Sequence, residues 1–299
     1  MSFVKVSVVL CCVVLPAIAS AQVFPPDSEF IPLRCDDVSM QDGFADQSGA
    51  LDERDIVGDA GAPAGLRAVD DTYLYLRLRL EEDPAPAGAI RPFSWGMQFD
   101  TDGDLGTYEV MVLADGTAGG AGTVSLFSNR TTMVRNDPND PADQPAAKTY
   151  PFAMNARTLP APGSSYGGTA DYFLDIAVPW SDLAQVGLDR DTNTFVWAAS
   201  SSTANSLNGD FACHDGASGP ARLDAIASDP TTGDPTRDPN GGGGGGGGTG
   251  RLEGGGGCAA GGGAGGGAGA GAGASAVLAL LSLLSLRRRD RARRGAARS

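Results

Sequence analysis

Histidine is nearly missing from this chain: among 299 residues there is one, His214. It stands beside Cys213 with no second Cys/His cluster, which excludes a histidine-rich zinc site and leaves a Ser/His/Asp triad without a usable base. The serine run Ser200-Ser201-Ser202 also lacks a Gly-x-Ser-x-Gly setting. Positive charge is scarce too. Residues 22 to 240 hold 34 Asp and Glu against 13 Lys and Arg, a net charge of −21. A field of that sign repels nucleic acid and anionic membrane surfaces, so no nucleic-acid partner is expected, while divalent cations and neutral ligands are permitted. Long amphipathic helical patterns and internal repeats are absent. Paired acids such as Asp36-Asp37, Asp70-Asp71 and Glu81-Glu82 are present, but a chain with 36 acids produces such pairs by chance, and no enzyme is expected from them.

The two ends carry the clearest signals. Lys5 supplies the charge of a short n-region, Val6 to Leu15 form an apolar run too short to span a bilayer, and Ala19-Ser20-Ala21 is a small-residue cleavage site. Residues 1–21 therefore read as a secretory signal peptide, with Gln22 as the mature N-terminus. At the other end a glycine run from Gly241 leads to Cys258 and a Gly/Ala stretch. Then come an apolar segment ending at Leu286 and the cluster Arg287-Arg288-Arg289. The last thirteen residues hold seven Arg and one Asp, opposite in sign to the region before them. An apolar run with a cationic stop is what a membrane-crossing segment over 259–286 requires. Its strongly apolar part, 274–286, would reach only about 20 Å as a helix against a hydrocarbon core of about 30 Å. Such a span suits a sorting signal better than a permanent anchor.

That order of parts, Cys258 in a glycine-rich context, an apolar segment and an Arg cluster through Arg294, resembles the MYXO-CTERM sorting tail of myxobacterial and related surface proteins. The resemblance covers about 254–299. It implies processing or anchoring at Cys258 by a sorting machinery, loss of 259–299 from the mature protein, and residence at the cell surface or outer membrane of a myxobacterium-like bacterium. The spacer 259–274 is longer and richer in Gly and Ala than that pattern has.

Once Cys11, Cys12 and Cys258 are assigned to the two ends, Cys35 and Cys213 remain. In an oxidising compartment they are most simply a disulfide. Between them the sequence reads as strands. In Thr72 to Leu80 the residues Leu74, Leu76, Leu78 and Leu80 share one face, and Tyr73, Tyr75, Arg77 and Arg79 the other, the period of a half-buried strand. Trp95, Met97 and Phe99 alternate before a turn, and Tyr108, Val110 and Val112 after it, which predicts a hairpin around Asp100 to Gly106. Further strands are expected at 123–127, 171–178 and 194–199, a short helical turn capped by Ser181 after Pro179, and a long surface loop over 137–163. Many short strands separated by Gly, Pro and Asp turns predict an all-β fold with a single antiparallel β-sandwich over 22–228. A Pro/Gly-rich spacer follows at 229–257, and the sorting tail at 258–299.

The order Asp42-Gly43, Ala68 to Leu76, Phe99-Asp-Thr-Asp-Gly-Asp104, Tyr172 to Pro179 and Phe195-Val-Trp197 is similar to family 9 carbohydrate-binding modules and their DOMON-like relatives. That resemblance implies a jelly-roll-like sandwich used for binding, often of sugars and often with structural calcium. The paired aromatics that clamp a sugar in such modules have no evident counterpart here. The axial pair of the haem-binding relatives has none either.

Asp100, Asp102 and Asp104 alternate in one tight turn and can converge on a Ca²⁺ ion. An EF-hand is excluded, because Leu105 stands at its glycine position and Met111 at that of its bidentate acid. Glu109 is a further donor if it points to the same face. The same turn also reads as a solvated hairpin, where Asp and Gly are favoured by backbone geometry. Two functions follow. One is a surface-anchored, non-catalytic module that binds polysaccharide through Tyr73, Tyr75, Trp95 or Trp180. The other is a structural or adhesive protein that contacts envelope proteins without a small ligand. Exposed aromatics favour the first, and burial of all three tryptophans the second.

Overall fold

The leucines of the 72–80 segment all lie inward. Leu74, Leu76, Leu78 and Leu80 are each at most 2% exposed, and each buried leucine contributes about 1.5–3 kcal/mol. They belong to a strand, Tyr73–Leu80, of a computed structural model that describes residues 22–46, 52–213 and 222–238. The expected signal peptide, His214, the glycine run, Cys258 and the 259–286 segment lie outside the described residues.

The described chain is built mainly of antiparallel strands. In chain order they are β1 (Ile31–Pro32), β2 (Arg34–Cys35), β3 (Val38–Ser39), β4 (Gly65–Val69), β5 (Tyr73–Leu80), β6 (Ser94–Asp100) and β7 (Val110–Asp115). They continue with β8 (Thr123–Ser128), β9 (Lys148–Pro151), β10 (Ala156–Pro160), β11 (Tyr172–Pro179), β12 (Asn193–Ser201) and β13 (Thr231–Thr232). One sheet has the order β1-β4-β5-β11-β10, a second β13-β12-β6-β7-β8-β9, and a third pairs β2 with β3. The helices among the described residues are short: α1 (Phe152–Asn155), α2 (Trp180–Val186) and α3 (Leu223–Ile226). None of them is long and apolar enough to cross a membrane.

One core cluster takes side chains from both large sheets. The β5 leucines and Leu174, Ile176 and Val178 of β11 join Trp95, Met97 and Phe99 of β6, Val110 and Val112 of β7, and Val196 of β12. The predicted hairpin is present, with β6 and β7 in register from Ser94↔Asp115 to Phe99↔Val110.

Four expectations need correction. Strand β5 is buried on both faces, not half-buried: Tyr75, Arg77 and Arg79 are each at most 5% exposed. Their cover is a satellite cluster of Phe30 and Phe173, with Phe24 packed against it; Asp175 and Asp27 meet the Arg77 charge, while Arg79 donates to the Pro63 carbonyl and the Ser164 hydroxyl. The 137–163 stretch contains β9, α1 and β10, which pair at the edges of the two large sheets. Edge strands expose one flank, so their apolar pattern is weak. Helix α2 begins at Trp180 with Pro179 in the capping position, and Ser181 lies inside it. It ends at Gly187, whose φ of 103° is the left-handed stop that glycine adopts without strain. Finally, the folded unit runs past residue 228. β13 pairs with β12, the carboxylate of Asp229 accepts the Asp36 and Asp37 N–H groups, and Asp238 forms a buried ion pair with Arg67. The first ten residues of the expected spacer thus belong to the sheet assembly.

The Cys35–Cys213 disulfide is present and closes a separation of 178 residues. It fastens the β2 segment to the segment after β12.

Candidate acidic turn and the buried aromatics

Strand β6 delivers Asp100 to the mouth of its hairpin, opposite Phe195 of β12, where the side chain is fully buried. A turn follows because Asp100 folds it. Its Oδ1 accepts the N–H of Asp102 at 2.9 Å and that of Gly103 at 2.8 Å, and Gly103 takes a φ of 85° that a side chain would resist. The other oxygen, Oδ2, is buried and accepts no hydrogen bond among the described residues. An unpaired buried carboxylate oxygen costs desolvation energy, which a bound cation would offset.

Glu109 approaches from the far side of the turn. Its Oε2 accepts the Thr101 N–H at 2.8 Å and its Oε1 the Thr107 hydroxyl at 3.0 Å, so the carboxylate is folded back over the loop. Asp100, Asp102 and Glu109 bring one oxygen each within 4.8 Å of one another. Burial pushes the Asp100 and Glu109 carboxyls above their ordinary range, and neighbouring acids add to it. The N–H and hydroxyl donors of the turn oppose that shift without cancelling it.

Asp104, expected as the third member, is placed elsewhere. Both its oxygens accept from the Arg135 guanidinium, and Oδ1 also accepts the Gly106 N–H. This pairing holds its carboxyl below the usual aspartate range. The structure therefore brings Asp100 and Asp102 together with Glu109 and turns Asp104 outward. Arg135 could not be foreseen, because it arrives from a loop 31 residues further along the chain. Glu109, expected as a further donor if it pointed to the same face, joins the group.

The aromatic candidates are not on the surface. Trp95 is fully buried, stands edge-on to Phe93 at 6.2 Å, and donates its indole N–H to the Glu53 carbonyl at 3.1 Å. Trp180 is 8% exposed and donates to the Asp70 carbonyl at 3.2 Å. Trp197, 1% exposed, donates to the Leu223 carbonyl at 2.8 Å. Tyr75 is buried with its hydroxyl on Asp70 Oδ2 at 2.7 Å. The expectation that Tyr75, Trp95 and Trp180 present open ring faces is thus corrected. Segments distant in sequence cover them, and each polar tip is satisfied inside the protein. Tyr73 alone of the four is half-buried, tilted 37° against Tyr75. Asn129, which opens an Asn-x-Thr sequence, is buried on Asp140.

No protein-family model, no curated protein and no solved structure matches this chain.

Proposed function

We propose that this chain is an exported, surface-anchored, non-catalytic contact module, with its two large sheets acting as a jelly-roll-like sandwich that meets other envelope proteins. The observation that carries this reading is the burial of Trp95, Trp180 and Trp197 with every indole N–H bonded internally. Sugar recognition by stacking needs an accessible ring, and the polysaccharide reading retains only half-buried Tyr73. The acidity of the module and its scarcity of histidine favour a contact role over chemistry. Residues beyond Asp238 serve as the spacer, and Cys258 as the processing and anchoring position in the outer membrane.

The turn of Asp100, Asp102 and Glu109 fits Ca²⁺ in this reading. All its donors are oxygens, one of them buried and unpaired. Calcium there pins the β6–β7 turn and has no part in a reaction.

A glycan array probed with the purified full chain in calcium tests the choice of partner, together with crosslinking in intact cells. Absence of saturable glycan binding and a crosslink to an envelope protein are expected. Saturable binding lost in Tyr73→Ala would return the polysaccharide reading to first place.

A further inference from the structure

A second group of acids lies at the opposite junction of the chain. Asp42 follows the disulfide-bearing β2–β3 hairpin, Asp210 precedes Cys213, and both are buried, at 5% and 1% exposure. Three segments meet there through hydrogen bonds of their backbone N–H groups. Asp42 and Gly58 exchange both N–H···O bonds at 3.0 Å, the Cys213 N–H donates to the Gln41 carbonyl at 2.8 Å, and the Ile56 N–H donates to Asp210 Oδ2 at 2.5 Å. This frame forces carboxylates together: Asp42, Asp46 and Asp210 bring one oxygen each within 4.8 Å of one another.

Two features separate this group from an acidic surface patch. Asp42 Oδ2 and Asp210 Oδ1 are buried and accept no hydrogen bond among the described residues, although their partner oxygens are bonded to Gly43 and Ile56. A cleft of about 320 Å³, lined by Asp42, Gly43, Gly58 and the Cys35–Cys213 disulfide, leads from solvent to Asp42. Oxygens bound to one calcium ion at about 2.4 Å can stand no more than about 4.8 Å apart, and the three carboxylates bring oxygens within that limit.

We propose that Asp42, Asp46 and Asp210 bind one calcium ion, which fastens the N-terminal segment to the segment before Cys213 beside the disulfide. Oxygen donors alone select a hard cation, and the cleft leaves room for the water ligands that complete a shell of six to eight. Burial, then the charges of Asp210, Asp46 and Asp55, push the Asp42 carboxyl well above its ordinary range. Asp210 is raised likewise, by burial first. Like charges so placed favour whichever cation offsets them, a metal ion or a proton. The ion and the disulfide then act as a double clasp on the same two segments.

Calorimetric titration of the purified full chain with Ca²⁺, together with thermal melting in calcium and in EDTA, tests this. Asp210→Asn and Asp42→Asn are each expected to lose one calcium equivalent, while Asp100→Asn retains it, which separates this ion from one at the hairpin turn. At saturating calcium the wild-type Tm is expected to exceed that in EDTA by about 5–10 °C, and part of that gain disappears in Asp210→Asn. The carboxamides relieve repulsion, so the variants are expected to fold without metal. Asp46→Asn, at a half-buried position, provides the same readout should either of them not fold. Unchanged stoichiometry in these variants, or a wild-type Tm indifferent to EDTA, would overturn the site and leave the acids holding shared protons. Equal stabilisation by Mg²⁺ would overturn calcium as its ion.

Discussion

Arg77 and Asp175 face each other across the β5–β11 pair and are joined by two parallel bonds, Nε to Oδ1 at 2.6 Å and Nη2 to Oδ2 at 2.8 Å. Both are buried, at 1% and 0% exposure. Asp27 takes the remaining Nη1 at 2.9 Å, and the guanidinium lies between the Phe30 and Phe173 rings, at 3.7 and 4.2 Å from their centroids. Removing Arg77 leaves the buried Asp175 with only the partly exposed Arg157, on its Oδ2 at 2.8 Å, as counter-charge. Arg77→Ala is therefore expected to destabilise the protein by about 3 kcal/mol, the low end because Arg157 remains on Asp175, whereas Arg77→Met with Asp175→Leu costs less. Urea unfolding of the single and double variants measures the difference, and equal losses would show that packing rather than charge governs the site.

This pair also marks where sequence reading stops. The leucine face of β5 was legible because its period of two is written in nine consecutive residues. The opposite face was misread as solvent-facing, since its cover comes from Asp27 and Asp175, 50 and 98 residues away. The same distance hid the burial of Trp95 under the Glu53 segment and of Trp180 beside Asp70 and Gly233. Within the acidic turn, Asp100 and Asp102 were readable from local spacing. The exchange of Asp104 for Glu109 was not, because Arg135 decides it from outside the turn. Edge strands β9 and β10 carried too little apolar pattern to register.

Tyr75 is a structural residue, and its variants separate that role from sugar binding. Its hydroxyl donates to Asp70 Oδ2, while Asp70 Oδ1 accepts the Thr72 and Tyr73 N–H groups, each at 2.7 Å. Partial burial pushes the Asp70 carboxyl up, but the Tyr75 hydroxyl and these N–H groups outweigh it and hold its pKa below the ordinary aspartate value. A depressed carboxyl contributes stability that is complete above its unfolded pKa, about 4, and lost as the pH falls through the folded value. Tyr75→Phe is expected to cost about 0.5–1.5 kcal/mol at pH 7, the modest end because Asp70 is exposed. The gap to wild type should close below about pH 4. Denaturant melts at pH 7 and pH 3 provide the comparison, and a gap that persists at pH 3 would remove Asp70 from the account.

At the hairpin turn the prediction is a contrast between neighbours. Asp100→Asn and Glu109→Gln are expected to abolish the calcium heat of that site, whereas Asp104→Asn, which weakens the exposed Arg135 pair, leaves it and changes stability little. Calorimetry on the three variants reads this directly. Loss of calcium in Asp104→Asn with retention in Glu109→Gln would restore the triad drawn from spacing alone.

Breaking the disulfide should release the clasp on both segments. With 178 residues between Cys35 and Cys213, the chain-entropy relation gives about 5 kcal/mol for its closure, an upper value because a compact unfolded state has less entropy to lose. Cys35→Ser with Cys213→Ser is expected to lower stability by several kcal/mol. Addition of calcium should recover a larger fraction of Tm in this variant than in wild type if an ion holds the same two segments. Paired melts with and without calcium decide it, and equal calcium gains in the two proteins would mean that ion and disulfide act independently.

The tail makes the last prediction. Its strongly apolar part, 274–286, would reach about 20 Å, short of a hydrocarbon core of about 30 Å, and the spacer before it is rich in glycine, which weakens a helix by about 1 kcal/mol per residue in water. On the proposed reading such a segment would hold a precursor at the membrane only briefly, and lasting attachment would come from processing at Cys258. Mass spectrometry of surface-released protein is expected to find a chain that begins at Gln22 and ends at Cys258. Cys258→Ala should accumulate as a precursor that retains 259–299 and does not reach the surface. Full surface display of Cys258→Ala with the tail intact would assign anchoring to the apolar segment instead, and would require the Gly/Ala stretch before it to complete a stable crossing.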